Sequence, residues 1–148
     1  MTFHITRASE ADDGLLAILA RLLPQLAPDL PLPTREHLVE LLADPRTHVL
    51  LAYDKQNYCV GMLTLVLFRS PTGLHAWIED VVVDEVARGQ GVGELLCRAA
   101  CEIARSAGAA EINLTSRPSR ETANRLYQRL GFVQRQTNLY RLTLSFQS

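Results

Sequence analysis

The chain has 148 residues, 47% of them hydrophobic and 21% charged, with a formal net charge of −1. That composition describes one globular domain, 1–148, too apolar for a disordered chain and too balanced in charge to present a whole-protein field to nucleic acid. The longest apolar stretch, residues 60–68, is broken by Gly61 and Thr64 and is far shorter than the roughly 20 residues of a membrane span, so no membrane partner is expected. The opening MTFHITRASEADD has no cationic start followed by an apolar run, which points to the cytoplasm rather than to secretion.

Residues 3–6 alternate apolar and polar and predict a first strand. Ser9 is placed to cap a helix carrying Leu15, Leu16, Leu19, Leu22 and Leu23, which Pro24 should end. Four of the seven prolines lie in residues 24–33, a stiffened loop. Thr34 starts a second helix with Leu38, Leu41 and Leu42 inward, stopped at Asp44-Pro45. Residues 47–53 and 58–68 form a hairpin about Asp54-Lys55-Gln56-Asn57. A turn at Ser70-Pro71-Thr72-Gly73 leads into a strand over 76–83. Residues 92–107 form an amphipathic helix with Val92, Leu95, Leu96, Ala99, Ala100 and Ile103 on one face and Gly108 at its end. A strand over 111–115 follows. Pro118-Ser119 opens a helix to Leu130, closed by Gly131, and residues 132–134 and 139–144 are the last strands. The predicted fold is α/β (α+β), a mixed, mostly antiparallel sheet flanked by about four helices.

Three cysteines, Cys59, Cys97 and Cys101, are too few for a disulfide framework, and two thiols four apart do not make a tetrahedral zinc site. They read as small core residues, and no metal is expected. His4, His37, His48 and His75 show no metal-ligand spacing, although His75 stands close before an acidic strand. The C-terminal segment sets Arg117, Arg120, Arg125, Arg129, Arg135 and Arg141 against Glu121, a cationic face open to solvent or to an anion.

Chemistry concentrates where the 76–83 strand turns into the 92–107 helix. Arg88, Gly89, Gln90, Gly91, Val92 and Gly93 place three glycines in five residues at the helix start. Glycines let the chain turn sharply and let a ligand approach the backbone. The first helical amides have no intrahelical partners, and the terminus carries roughly half a positive charge. Together they make a cradle for a phosphate. It is not a nucleoside-triphosphatase loop, because no Gly-Lys pair occurs and Lys55 is the single lysine. Glu94 stands where a dinucleotide fingerprint needs its third glycine.

Arg88 to Gly93 resembles the [RQ]-x-x-G-x-[GA] pyrophosphate loop of the GNAT acetyltransferases. Ala123-Asn124-Arg125-Leu126-Tyr127-Gln128-Arg129-Leu130-Gly131-Phe132 resembles that family's second signature, A-x-x-x-Y-x-x-x-G-F. The strand Trp77-Ile78-Glu79-Asp80-Val81-Val82-Val83 is especially similar to that of glucosamine-phosphate N-acetyltransferases. The resemblance implies an enzyme using acetyl-coenzyme A and a small-molecule primary amine, possibly an aminosugar phosphate, reacting directly in a ternary complex. It implies that Val81, Val82 and Val83 meet the pantetheine arm through their backbone at a β-bulge, with an N–H near Val82 polarising the thioester. Arg88, Gly89, Gln90, Gly91, Val92, Gly93 and Asn124 would bind the cofactor. Tyr127 would bind it too and protonate the departing thiolate. Glu79 is taken as the base, with neighbouring Asp80 on the opposite strand face. Arg120 stands where many members carry asparagine. The proline-rich loop falls where the family often builds its acceptor site, and the fold's exposed sheet edges suggest a homodimer. A non-catalytic acyl-coenzyme A-binding module and a protein or peptide N-acetyltransferase are the alternatives.

Overall fold

The computed structural model describes residues 2–145, which group into two compact units, one running through Arg117 and one from Pro118. The first holds β1 (His4–Arg7), α1 (Asp13–Leu26), α2 (Arg35–Ala43), β2 (Thr47–Tyr53), β3 (Cys59–Ser70), β4 (Gly73–Val83), α3 (Val92–Ala107) and β5 (Ile112–Asn113). The sheet order is β1-β2-β3-β4-β5, antiparallel throughout except for the parallel β4–β5 pair. A mixed sheet of this order excludes the doubly wound parallel sheet of a dinucleotide fold. No described helix is long and apolar enough to cross a membrane.

Local chemistry explains most element limits. Helix α1 begins at Asp12, not Ser9: the Asp12 carboxylate accepts from the Leu15 amide at 2.9 Å. Pro24 does not end α1 but sits in its last turn. Near a C-terminus the proline removes only one helical bond, and the Ala27 amide still reaches the Leu23 carbonyl at 3.1 Å. Thr34 caps α2 through the His37 amide at 3.1 Å, and Asp44 ends it. The β2–β3 turn is held by the Asp54 carboxylate on the Gln56 and Tyr58 amides, both at 2.9 Å, with Asn57 at φ +61°. Gly108 closes α3 in the left-handed region at φ +98°.

The sheet packs helices on both faces. Leu15, Leu19, Leu22 and Leu38 from α1 and α2 meet Val49, Leu51, Met62 and Val82 in one buried cluster. On the other face a Cβ added at Gly61 would lie 3.0 Å from Val92 and 3.2 Å from Leu96. The absent side chain is what lets the start of α3 settle on β3. Cys97 is fully buried, and burial pushes its thiol up to about 12.

The second unit holds α4 (Glu121–Arg129). It starts later than the Pro118-Ser119 opening predicts, with Arg120 as its N-cap residue, and Gly131 follows it at φ +101°. The strands expected over 132–134 and 139–144 are not formed: residues 132–145 hold no strand. Alternation makes a segment competent for a strand, but a strand exists only when a ladder partner completes it. Val133, Leu139, Tyr140, Leu142 and Leu144 are instead 70–86% exposed. The 111–115 strand is likewise reduced to Ile112–Asn113, paired with Ala76 and Trp77.

Candidate functional site

The candidate site begins at an irregularity in β4. Met62 pairs with Val82 and Thr64 with Glu79, so Asp80 and Val81 together oppose Leu63. This is a β-bulge. Asp80 takes it up with φ +54°, a left-handed conformation unusual for a side-chain-bearing residue and most tolerable for Asp or Asn. The opposite-face rule for Glu79 and Asp80 assumes unbroken alternation, and the bulge breaks it. Glu79 lies exposed and accepts from the Trp77 indole N–H at 2.6 Å. Asp80 is exposed as well, and it lines a groove together with Met62, Thr64 and Val49. Partial desolvation in that groove, reinforced by the Glu79 carboxylate, holds the Asp80 pKa above the usual carboxylate value.

β4 is also incompletely paired on its other edge. β5 pairs β4 only at Ala76 and Trp77, so β5 leaves the stretch Ile78 to Val83 without a parallel neighbour. Val81 and Val83 are half-buried and Val82 is core, which leaves backbone groups as their functional resource.

Beyond Val83 the chain makes a 3₁₀ turn over Glu85–Ala87, in which the Asp84 carboxylate accepts from the Val86 amide at 3.3 Å. The loop Arg88 to Gly91 follows. Gly89 and Gly91 lie at φ +79° and +85°, and a Cβ on either would meet nothing within 4 Å. Gly91 is the N-cap residue of α3, and no side chain caps it. The first helical hydrogen bond runs from the Leu95 amide to the Gly91 carbonyl at 3.1 Å. The amides of Val92 and Gly93 therefore precede the ladder, at the positive end of a 16-residue helix. Open space over uncapped amides is the arrangement that a diphosphate fits. Gln90 is exposed, and Arg88 lies back along the strand with Nε donating to the Val83 carbonyl at 3.2 Å.

Sequence reading missed what anchors this loop. Arg21 of α1 forms an ion pair with the buried Asp84, donates to the Cys59 carbonyl at 2.7 Å and lies 4.3 Å over the Tyr58 ring. Gln25 joins in, with its side-chain oxygen accepting from the Glu85 amide at 3.0 Å. The only hint was an arginine on a leucine-rich helix, and nothing local names a partner 63 residues away.

The groove beside Asp80 encloses about 500 Å³ between α1, α2 and the sheet. Its walls include Leu19 and Leu23 of α1, the proline-rich loop from Leu30 to Thr34, and Leu41 and Leu42 of α2. The loop thus lies against the groove, as its place in the chain suggested. His75 does not reach the groove: it stacks on Phe68 at 5.2 Å and meets the hydroxyls of Ser70 and Thr72.

In the second unit Tyr127 is buried and packs edge-on to Phe132 at 5.8 Å, and its carbonyl accepts from the Phe132 amide at 2.9 Å. Asn124 is half-buried on the same helix. The arginines Arg117, Arg120, Arg125, Arg129, Arg135 and Arg141 are all exposed.

Comparison with known proteins follows this geometry. The model of the Acetyltransferase (GNAT) family matches residues 13–132. Glucosamine 6-phosphate N-acetyltransferase 1 of Oryza sativa subsp. japonica is 33% identical over 126 residues, 80% of this chain and 74% of that protein. N-alpha-acetyltransferase 30 of Schizosaccharomyces pombe is 35% identical over 95 residues, 64% of this chain and 63% of that one. Among solved structures, an aminoglycoside acetyltransferase from an uncultured soil metagenomic sample, in complex with trehalose, superposes with a TM-score of 0.85 at 25% identity, covering 97% of both chains.

Proposed function

This chain belongs to the GNAT family of acetyltransferases, and on that premise we propose how an acetyl-coenzyme A-dependent N-acetyltransferase is built from these residues. One observation carries the reading: a glycine-opened helix start without a side-chain cap follows, after one 3₁₀ turn and a short loop, on a strand stretch that β5 does not pair. The amides of Val92 and Gly93, with the backbone of Gly89 and Gly91, hold the diphosphate. Arg88 and Gln90 flank it. The backbone of Val81 and Val83 pairs with the pantetheine arm as an added strand would; Asn124 keeps the cofactor role that the family resemblance implies. The N–H near Val82 stabilises charge on the thioester oxygen.

Acetyl-coenzyme A supplies an activated acyl group. An alkyl ammonium, with a pKa near 10, must lose a proton before it can attack. The reading passes the base role from Glu79 to Asp80, because the bulge turns Asp80 into the groove while Glu79 is engaged by Trp77. Asp80 takes the amine proton, directly or through water. The amine nitrogen bonds to the acetyl carbon, the carbon–sulfur bond breaks, and the thiolate takes up a proton, the role that the family resemblance alone gives to Tyr127. The products are an N-acetyl amine and free coenzyme A. No cysteine enters either signature, so no acetyl-enzyme is invoked. A small-molecule acceptor is supported by the names of the rice and metagenomic relatives.

The test is thiol release from acetyl-coenzyme A across a panel of primary amines. Turnover with at least one small amine is expected. Coenzyme A binding with no turnover on any amine or peptide would leave the non-catalytic module as the function. A homodimer belongs to the same proposal, supported by the exposed Leu139, Tyr140, Leu142 and Leu144. Light scattering should give twice the chain mass, and a monomer at micromolar concentration refutes it.

A further inference from the structure

The groove that holds Asp80 differs in chemistry from the sites that a sugar phosphate or a polycationic antibiotic would require. Its lining is dominated by leucine, proline, valine and methionine, with Thr34, Thr64, His37 and Asp80 as the polar members. Among the described residues of the first unit, no arginine or lysine lines it. The nearest arginines by sequence are committed elsewhere: Arg35 pairs with Asp13 and donates to the Ala11 carbonyl at 2.7 Å, and Arg21 is spent on Asp84. At the start of α2 the Thr34 hydroxyl already accepts from the His37 amide. A phosphate placed here would lose its hydration and meet no fixed cation. An aminoglycoside, with several ammonium groups, would find one carboxylate.

Resting on the transferase reading above, we infer that this groove selects a primary amine carried on an apolar body, with its single ammonium at Asp80 and its hydrocarbon along Leu19, Leu23, Leu30, Leu32 and Leu41. Charge complementarity sets the amine end and apolar area sets the rest. Leu30 and Leu32 are about half exposed (48% and 50%) although large and apolar. Leucines left so open on a groove wall are covered when such a body enters. Asp80 immediately precedes the strand stretch Val81 to Val83, where the thioester is proposed to lie.

The experiment compares unbranched alkylamines from butyl to octyl, phenethylamine, glucosamine 6-phosphate and a multiply charged aminoglycoside. Binding is read by calorimetry in the presence of coenzyme A, and kcat/KM by thiol release. Each added methylene should raise affinity and kcat/KM about three- to fourfold, from about 0.8 kcal/mol per buried CH₂, until the groove is filled. Phenethylamine should exceed glucosamine 6-phosphate at least tenfold. Leu32→Ser, at an exposed position that does not threaten folding, should flatten the series while leaving coenzyme A affinity unchanged. A flat series, or a preference for the sugar phosphate or aminoglycoside, overturns the assignment even if transfer itself is robust. A steep binding series without turnover upholds the groove and removes the transferase reading instead. A tetrapeptide beginning Met-Leu separates a free amine from a chain N-terminus with the same apolar chemistry: equal or better turnover assigns the second source.

Discussion

Removing the Asp84 carboxylate is the sharpest test of how the cofactor loop is held. Asp84 is 4% exposed, and its side chain serves the Arg21 guanidinium and the Val86 amide at 3.3 Å, with Gln25 at 3.5 Å. Asp84→Ala leaves a guanidinium without its counter-charge and a turn amide without its acceptor. Breaking a fully buried pair by removing one partner costs about 3–5 kcal/mol. Arg21 keeps 29% of its side chain exposed and retains the Cys59 carbonyl and the Tyr58 ring. Those contacts discount the loss to about 2–3 kcal/mol, or roughly 4–12 °C in Tm for a chain of this size. Urea unfolding of wild type, Arg21→Ala, Asp84→Ala and the double variant should show a lower midpoint at unchanged slope, and a coupling of about 1 kcal/mol or more. Asp84→Asn keeps an acceptor for Val86 and should lose less than Asp84→Ala. If Asp84→Ala costs under about 0.5 kcal/mol, or the two single losses simply add, the ion pair does not anchor the loop.

Other consequences are equally direct. Gly91→Glu forces a side chain onto φ +85° and sets a negative charge at the α3 start, so coenzyme A affinity should fall at least tenfold by calorimetry; undiminished binding refutes the cradle. Tyr127→Phe should lower kcat more than it changes coenzyme A affinity, and full turnover across pH removes the acid assignment. The raised pKa of Asp80 carries a sign: its ionised form is disfavoured in the folded state, a penalty absent below the ordinary carboxylate pKa and complete above the folded one. Asp80→Asn should therefore raise Tm more at pH 7 than at pH 3, while abolishing the amine preference; equal shifts at both pH values contradict the desolvated placement. Cys97, buried and held near 12, should resist alkylation at pH 8 in the native protein and react only on unfolding; rapid native labelling at Cys97 shows that α3 opens locally.

Local codes were legible wherever neighbours in sequence decide the outcome. Strand β2 and helix α3 fall where periodicity and Gly108 place them, and Thr34 caps α2 as its position suggests. Competition among nearby residues blurred the start of α1, where Asp12 rather than Ser9 presents its oxygen to the Leu15 amide. The tail at 139–144 shows the converse. Its alternation is strand-like, yet no described ladder takes it up and its apolar side chains stay exposed.

What the chain determines by itself is the order of its elements as far as α4 and the glycine-opened helix start. Both follow from backbone preferences within a few residues, and the residue type is what permits φ above zero at Gly89 and Gly91. Which carboxylate enters the groove, what anchors Asp84, and the absence of any cation along the groove wall were decided only on folding. Each depends on the β3–β4 register or on partners dozens of positions apart, and such pairings leave no periodic trace in the sequence.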